Sequence, residues 1–183
     1  MFDIDSIGIP GCYEIKPKVQ EDLRGHFVKV FHKNEFKKKN LEVEFAEEYY
    51  SYSKKGVVRG MHFQKPPCDH VKLVYCPFGE VFDVVVDLRL GSPTYGQSRH
   101  INLSAKAANY IYIPRGIAHG FCVKSDLAIL VYKVSTIYSL EHDSGLLWSS
   151  VGVDWPTKSP IISERDQEFP GLLDFKSPFH YEL

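Results

Sequence analysis

What most constrains this chain is a succession of short β-branched and aromatic runs, each closed by turn chemistry. Val57–Gln64, Lys72–Cys76, Glu80–Asp87, Tyr110–Ile113, Gly120–Val123 and Ala128–Ser135 read as strands. Lys65-Pro66-Pro67, Pro77-Phe78-Gly79, Gly91-Ser92-Pro93 and Pro114-Arg115-Gly116 separate several of them, with residues whose φ is either fixed or free to turn positive. Many short strands at this spacing predict an all-β sandwich or barrel. Twelve Phe and eleven Tyr suit the pleated, half-buried surfaces of such a fold. Helical signals are few. Asn34 is placed to cap a short helix to about Asn40, and one or two helical turns are expected around Ser163–Glu168. Asp22-Leu23-Arg24-Gly25 reads as a turn leading into a strand, His26–Phe31. One domain over 1–183 is expected, with a proline-punctuated tail from about 145 to 183 wrapping its surface.

Lys plus Arg total 22 against 23 Asp plus Glu. A balance so near neutral argues against a nucleic-acid partner or an anionic membrane surface, both of which call for a basic excess. Lys37-Lys38-Lys39 reads as a solvated helix face. No apolar run reaches membrane-spanning length, and the chain does not start with a basic-then-apolar signal pattern. Cys12, Cys68, Cys76 and Cys122 show no Cys-x-x-Cys pairing, which suggests reduced thiols in a cytoplasmic protein.

The chemistry concentrates around His62. This titratable side chain lies in an apolar run, three residues after Arg59, and Lys72 begins the next strand. A base between two cations suits proton removal beside a carbonyl, because the cations stabilise the enolate that forms. Strict alternation along a strand would send Arg59 and His62 to opposite faces. Gly60 between them predicts a bulge that turns both toward one cavity. Singly, such residues have plainer readings: His62 a core histidine, Tyr132 core packing, Lys72 a snorkelling surface lysine, Asp166 a helix cap, His119 a turn cap.

Pro114-Arg115-Gly116-Ile117-Ala118-His119 fits the Pro-x-Gly-x-x-His pattern of the second cupin motif. Gly60-x-His62-x-Gln64, followed by Gly79-Glu80-Val81-Phe82-Asp83, stands in the place of the first. The resemblance implies an all-β, cupin-type jelly-roll β-barrel or sandwich with a few short helices. Many cupins bind a divalent metal through His-x-His, a Glu and the later His. Here the first motif reads His-x-Gln without a well-placed acid, and a neutral amide is a poor ligand for transition metals. His62, His119 and Gln64 would make a weak site, so neither metal nor cofactor is expected.

Over most of its length the chain closely resembles the dTDP-4-dehydrorhamnose 3,5-epimerase family. Asp22-Leu23-Arg24-Gly25-His26-Phe27, Val57 through Gln64, Lys72-Leu73-Val74, Gly79 through Val84, Val86-Asp87-Leu88-Arg89, Ile113 through Phe121, Tyr132-Lys133, Gly152 through Pro156 and Ser163-Glu164-Arg165-Asp166 carry the match. The resemblance implies epimerisation of a nucleotide-linked 4-keto-6-deoxy sugar, in a pathway to rhamnose or a related surface-polysaccharide deoxyhexose. A C4 ketone acidifies the hydrogens on both C3 and C5, and inversion needs a proton returned from the opposite face. By the same resemblance His62 is the base, Asp166 the carboxylate orienting it, Tyr132 the acid across the ring, and Lys72 the charge facing the oxyanion. It sets Arg59 and His119 at the pyrophosphate or sugar, with Tyr138 stacking on the nucleotide base. Lys29, Glu47, Tyr49, Asp143 and Arg165 are further substrate-binding positions. Arg24 belongs to a segment that serves the neighbouring site, which implies a homodimer.

The pattern departs from the family at two places. A Gln-Asp-Asn-type segment is replaced by Glu47-Glu48-Tyr49-Tyr50-Ser51-Tyr52, and a Glu two residues after Phe27 by Lys29. The catalytic set is intact and the recognition set altered, so a different nucleotide, a different sugar or epimerisation at one carbon stay open. A metal-dependent cupin enzyme and a non-catalytic sugar-binding cupin are the other readings.

Overall fold

The computed structural model describes residues 2–182. Thirteen strands form in chain order: β1 Phe2–Ser6, β2 Tyr13–Pro17, β3 Val19–Asp22, β4 Gly25–Val28, β5 Glu47–Lys54, β6 Val58–Gln64, β7 Lys72–Phe78, β8 Glu80–Asp87, β9 Ser98–Ser104, β10 Tyr110–Ile113, β11 Ile117–Val123, β12 Leu127–Val134 and β13 Asp143–Gly145. The helices are short, α1 Lys33–Lys37 and α2 Glu164–Gln167, with one 3-10 turn at Trp148–Ser150.

A six-stranded sheet runs β1-β2-β10-β7-β12-β5, and a five-stranded sheet runs β13-β6-β11-β8-β9. They face one another as a sandwich and do not close into a barrel, so of the two expected forms the sandwich is present. Alternation decides which side chains enter the space between the sheets. On β12, Ala128, Leu130, Tyr132 and Val134 are buried while their odd-numbered neighbours are half-exposed. Ala128, Leu130 and Tyr132 join Val74, Val81, Val85, Ile117 and Phe121 in the inter-sheet core. The outer face of the five-stranded sheet is covered by the tail, through Leu146, Val151 and Phe179 against Met61, Val84 and Val86. Phe36 of α1 and Leu41 cover part of the other outer face, against Leu73, Tyr110 and Tyr112.

Strand boundaries follow the expectation at β8 and β10. The strand expected over Gly120–Val123 begins earlier, at Ile117, because Pro114 and Gly116 turn the chain immediately before it. The strand expected over His26–Phe31 stops at Val28 in a two-stranded hairpin with β3. His32, not Asn34, sits at the N-cap of α1, with no side-chain cap bond. Among the described residues no helix is long and apolar enough to cross a membrane. All four cysteines are free.

Candidate active site

A bulge in β6 creates the site. His62 pairs with His119 of β11 and Arg59 with Phe121, so two residues of β6, Gly60 and Met61, lie opposite the single Gly120. Gly60 has φ +129°, and a Cβ there would lie 2.5 Å from Gly120 Cα. Only glycine fits on both counts. The extra residue puts Arg59 and His62 on the same cavity, about 210 Å³ in volume and lined also by Lys72, His119, Tyr132, Tyr49, Ser51 and Phe121.

Each wall contributes distinct chemistry. From the five-stranded sheet comes His62, whose Nε2 is 2.8 Å from Asp166 Oδ1. Asp166 Oδ2 accepts the Gly60 amide at 3.0 Å, and the Asp166 amide donates to Ser163 Oγ at the N-cap of α2. The tail is tied alongside β6 by Val58 N–H to Ile161 O and Ile161 N–H to Gly56 O. Burial would raise the Asp166 carboxyl, but hydrogen bonds from His62 and Gly60 outweigh it and hold the group below the usual carboxylate range. Phe169 meets the His62 ring edge-on at 5.9 Å.

A second histidine–carboxylate pair lies beside the first. His119 Nε2 is 2.8 Å from Asp83 Oδ2. The two residues are diagonal neighbours on β11 and β8, since His119 opposes Val85 and Asp83 opposes Phe121. Asp83 is fully buried, and its Oδ1 has no partner. Burial raises its carboxyl pKa, with His119 only partly offsetting the shift.

The six-stranded sheet supplies the facing wall. Lys72 is 5% exposed, its Nζ donates to His62 O at 3.0 Å, and burial pushes its ammonium down to about 8. Tyr132 is 8% exposed and its hydroxyl is 3.4 Å from Ser51 Oγ, not on backbone. Burial raises the phenol well above its ordinary range, so it keeps its proton at neutral pH. Tyr49, directly opposite on β5, stacks on it at 4.9 Å. Arg59 Nε donates to Ser53 Oγ at 3.0 Å.

Tyr49 also borders a second hollow of about 260 Å³, lined with Glu47, His70, Val134 and Tyr138. At its edge Asp143 Oδ2 joins Arg165 at 2.6 Å and the Tyr138 hydroxyl at 3.2 Å. Glu47 Oε1 accepts the Tyr138 amide. Thus eleven of the expected site residues gather at two adjoining hollows. Arg24 and Lys29 do not. Arg24 lies at the tip of the β3–β4 hairpin, paired with Asp22 at 2.5 Å, and Lys29 is exposed just after β4. Gln64 is not placed as a metal ligand, because its amide bonds Cys68, Ile137 and Ser139. Sequence reasoning missed Asp83, although a lone charge within Val81–Val86 was the available signal.

A family model described as dTDP-4-dehydrorhamnose 3,5-epimerase matches residues 6–174. The dTDP-4-dehydrorhamnose 3,5-epimerase of Shigella flexneri is 45% identical over 161 residues, 86% of this chain and 89% of that protein. The dTDP-4-dehydrorhamnose 3-epimerase of Streptomyces niveus is 42% identical, over 88% of this chain and 80% of that one. Among solved structures, the dTDP-6-deoxy-D-glucose-3,5-epimerase of Legionella pneumophila Philadelphia 1 in complex with dTDP-4-keto-L-rhamnose has a TM-score of 0.94 at 33% identity, covering 100% of both chains.

Proposed function

The chain belongs to the dTDP-4-dehydrorhamnose 3,5-epimerase family, and on that footing we propose that it inverts C3 and C5 of a dTDP-linked 4-keto-6-deoxyhexose. The observation that carries this reading is the division of one cavity between two sheets: a His–Asp pair on one wall, a protonated tyrosine and a buried lysine on the other.

His62 is the base. Asp166 holds its Nε2–H, which leaves Nδ1 free to accept the proton from C3 or C5 and stabilises the imidazolium that results. The electron pair left on carbon delocalises onto the C4 oxygen, where Lys72 supplies a fixed positive charge in a dry site. Tyr132 returns a proton from the opposite face, and the configuration inverts. Because both carbons share one ketone, one base and one acid serve both after a shift or flip of the ring. Asp83 orients His119, which binds the sugar. Arg59 binds the pyrophosphate, the chemistry for which a guanidinium is suited. The nucleotide extends into the second hollow, over Tyr138, with Glu47, Tyr49, Asp143 and Arg165 around it. No step calls for a cofactor.

The whole chain acts as one domain, in the cytoplasm, where free thiols such as its four persist. It works as a homodimer in which the β3–β4 hairpin carries Arg24, and beyond it Lys29, toward the partner's cavity. The exposure of Leu23 and Phe27 on the hairpin, and of Tyr50, Tyr52 and Phe78 on the outer side of the six-stranded sheet, supports such a contact. Light scattering that reports a dimer agrees with this, and a fully active monomer contradicts it.

Incubation with dTDP-4-keto-6-deoxyglucose tests the activity, with the product's configuration read by proton NMR. Inversion at both carbons is expected. Inversion at C3 alone would make it a 3-epimerase, a reading favoured by the similarity to the Streptomyces niveus protein. Full loss of turnover after chelation would favour a metal-dependent cupin instead.

A further inference from the structure

Gln64 closes β6 two residues after His62, is 3% exposed, and takes no part in the acid–base set. Its Nε2 donates to Cys68 O at 2.8 Å and to Ile137 O at 3.2 Å. Its Oε1 accepts the Ser139 amide at 2.6 Å. One side chain thus grips the backbone on both sides of Tyr138. That loop has no apolar anchor at Tyr138 or beside it, for Ile137 is 68%, Tyr138 54% and Leu140 78% exposed. Polar contacts therefore decide where Tyr138 stands.

The grip requires an amide. Ile137 offers a carbonyl and Ser139 an N–H, so the side chain must donate and accept at once. A carboxylate of the same length would only accept, and would face the Cys68 and Ile137 carbonyls with negative charge. A histidine ring cannot present both atoms to one loop in this way. Thr136 Oγ1 adds a further bond to Cys68 O at 2.8 Å, joining the loop to the same turn.

We propose that Gln64 is a positioning residue for nucleotide recognition: it fixes the loop that holds Tyr138 over the second hollow, and so sets affinity for the nucleotide without entering the chemistry. This rests on the reading above that the nucleotide occupies that hollow.

The test is a double-mutant cycle between Gln64→Glu and Tyr138→Ala. Binding of dTDP is measured by calorimetry, and KM and kcat with the keto sugar nucleotide. Each single variant should weaken dTDP binding about tenfold or more and raise KM similarly, with kcat held within about threefold. The double variant should bind no more weakly than Tyr138→Ala, because the clamp acts through that ring. Ser139→Pro deletes the same hydrogen bond from the loop side and should reproduce the effect, which covers the case of a Gln64 variant that fails to fold. Additive losses, unchanged dTDP affinity, or a fall in kcat at constant KM would each overturn the proposal, as would wild-type protein that does not bind dTDP. Failure of the wild type to turn over substrate while the binding cycle stays coupled would instead overturn the assigned reaction.

Discussion

Asp166 reaches His62 across 104 residues of sequence, with its Oδ1 2.8 Å from His62 Nε2. The contact joins a strand of the core sheet to a four-residue helix in the tail, so the catalytic pair forms only when the tail has docked. Asp166→Asn keeps the shape but presents an amide to the imidazole, which disfavours the tautomer with Nδ1 free. Turnover should fall by about 10²–10⁴, measured as kcat, with the circular dichroism spectrum unchanged. A loss below about threefold would contradict the dyad.

The same carboxyl links stability to acidity. Its folded pKa is depressed, so its contribution is fully present above the unfolded value, about 3.9, and is lost as pH falls through the folded value. The wild type should therefore exceed Asp166→Asn in Tm at pH 6, with the gap closing below about pH 4. A gap independent of pH would place the stabilisation elsewhere.

Lys72 carries the opposite sign. Its burial pushes the ammonium down to about 8, so the folded protein releases that proton more readily than the unfolded chain does. The cost of the buried charge is fully present below about pH 8 and shrinks as pH rises toward the unfolded value near 10.4. Activity that depends on the charged form should decline above about pH 8, read as the upper limb of kcat against pH. Lys72→Arg, if it folds, should carry that limb beyond about pH 10, because a guanidinium stays protonated. A wild-type profile flat through that range would remove Lys72 from the oxyanion.

The two histidine pairs differ in what their loss leaves behind. Removing His62 leaves Asp166 with Oδ2 still accepting the Gly60 amide. Removing His119 leaves Asp83 buried with neither oxygen bonded, since Oδ1 has no partner already. His119→Ala should thus cost about 2–4 kcal/mol more than His62→Ala. For a chain of this length that is roughly 5–15 °C in Tm. Equal melting temperatures for the two variants would contradict the assignment of Asp83.

Much of this was legible in the chain, for identifiable physical reasons. β8 began just after the turn at Gly79 and β10 ended at Pro114, and the Gly60 bulge followed from asking how Arg59 and His62 could share a cavity. The dyad was not derivable from spacing, since Asp166 sits in a polar tail segment and only the family pattern paired it with His62. Asp83 was overlooked because its partner is diagonal on another strand, a relation visible only once register is known. The position of Arg24 depends on a second copy of the chain. The helix cap moved to His32 because the chain enters α1 extended, whatever side chain stands at Asn34.

The division of labour between His62 and Tyr132 is the central claim, and deuterium exchange separates the two roles. In deuterium oxide with dTDP-4-keto-6-deoxyglucose, proton NMR follows wash-in at C3 and C5 for the wild type, His62→Ala and Tyr132→Phe. The account predicts no exchange at either carbon for His62→Ala, and for Tyr132→Phe continuing exchange with little inverted product. Complete loss of exchange in both variants, or normal exchange in His62→Ala, would contradict it.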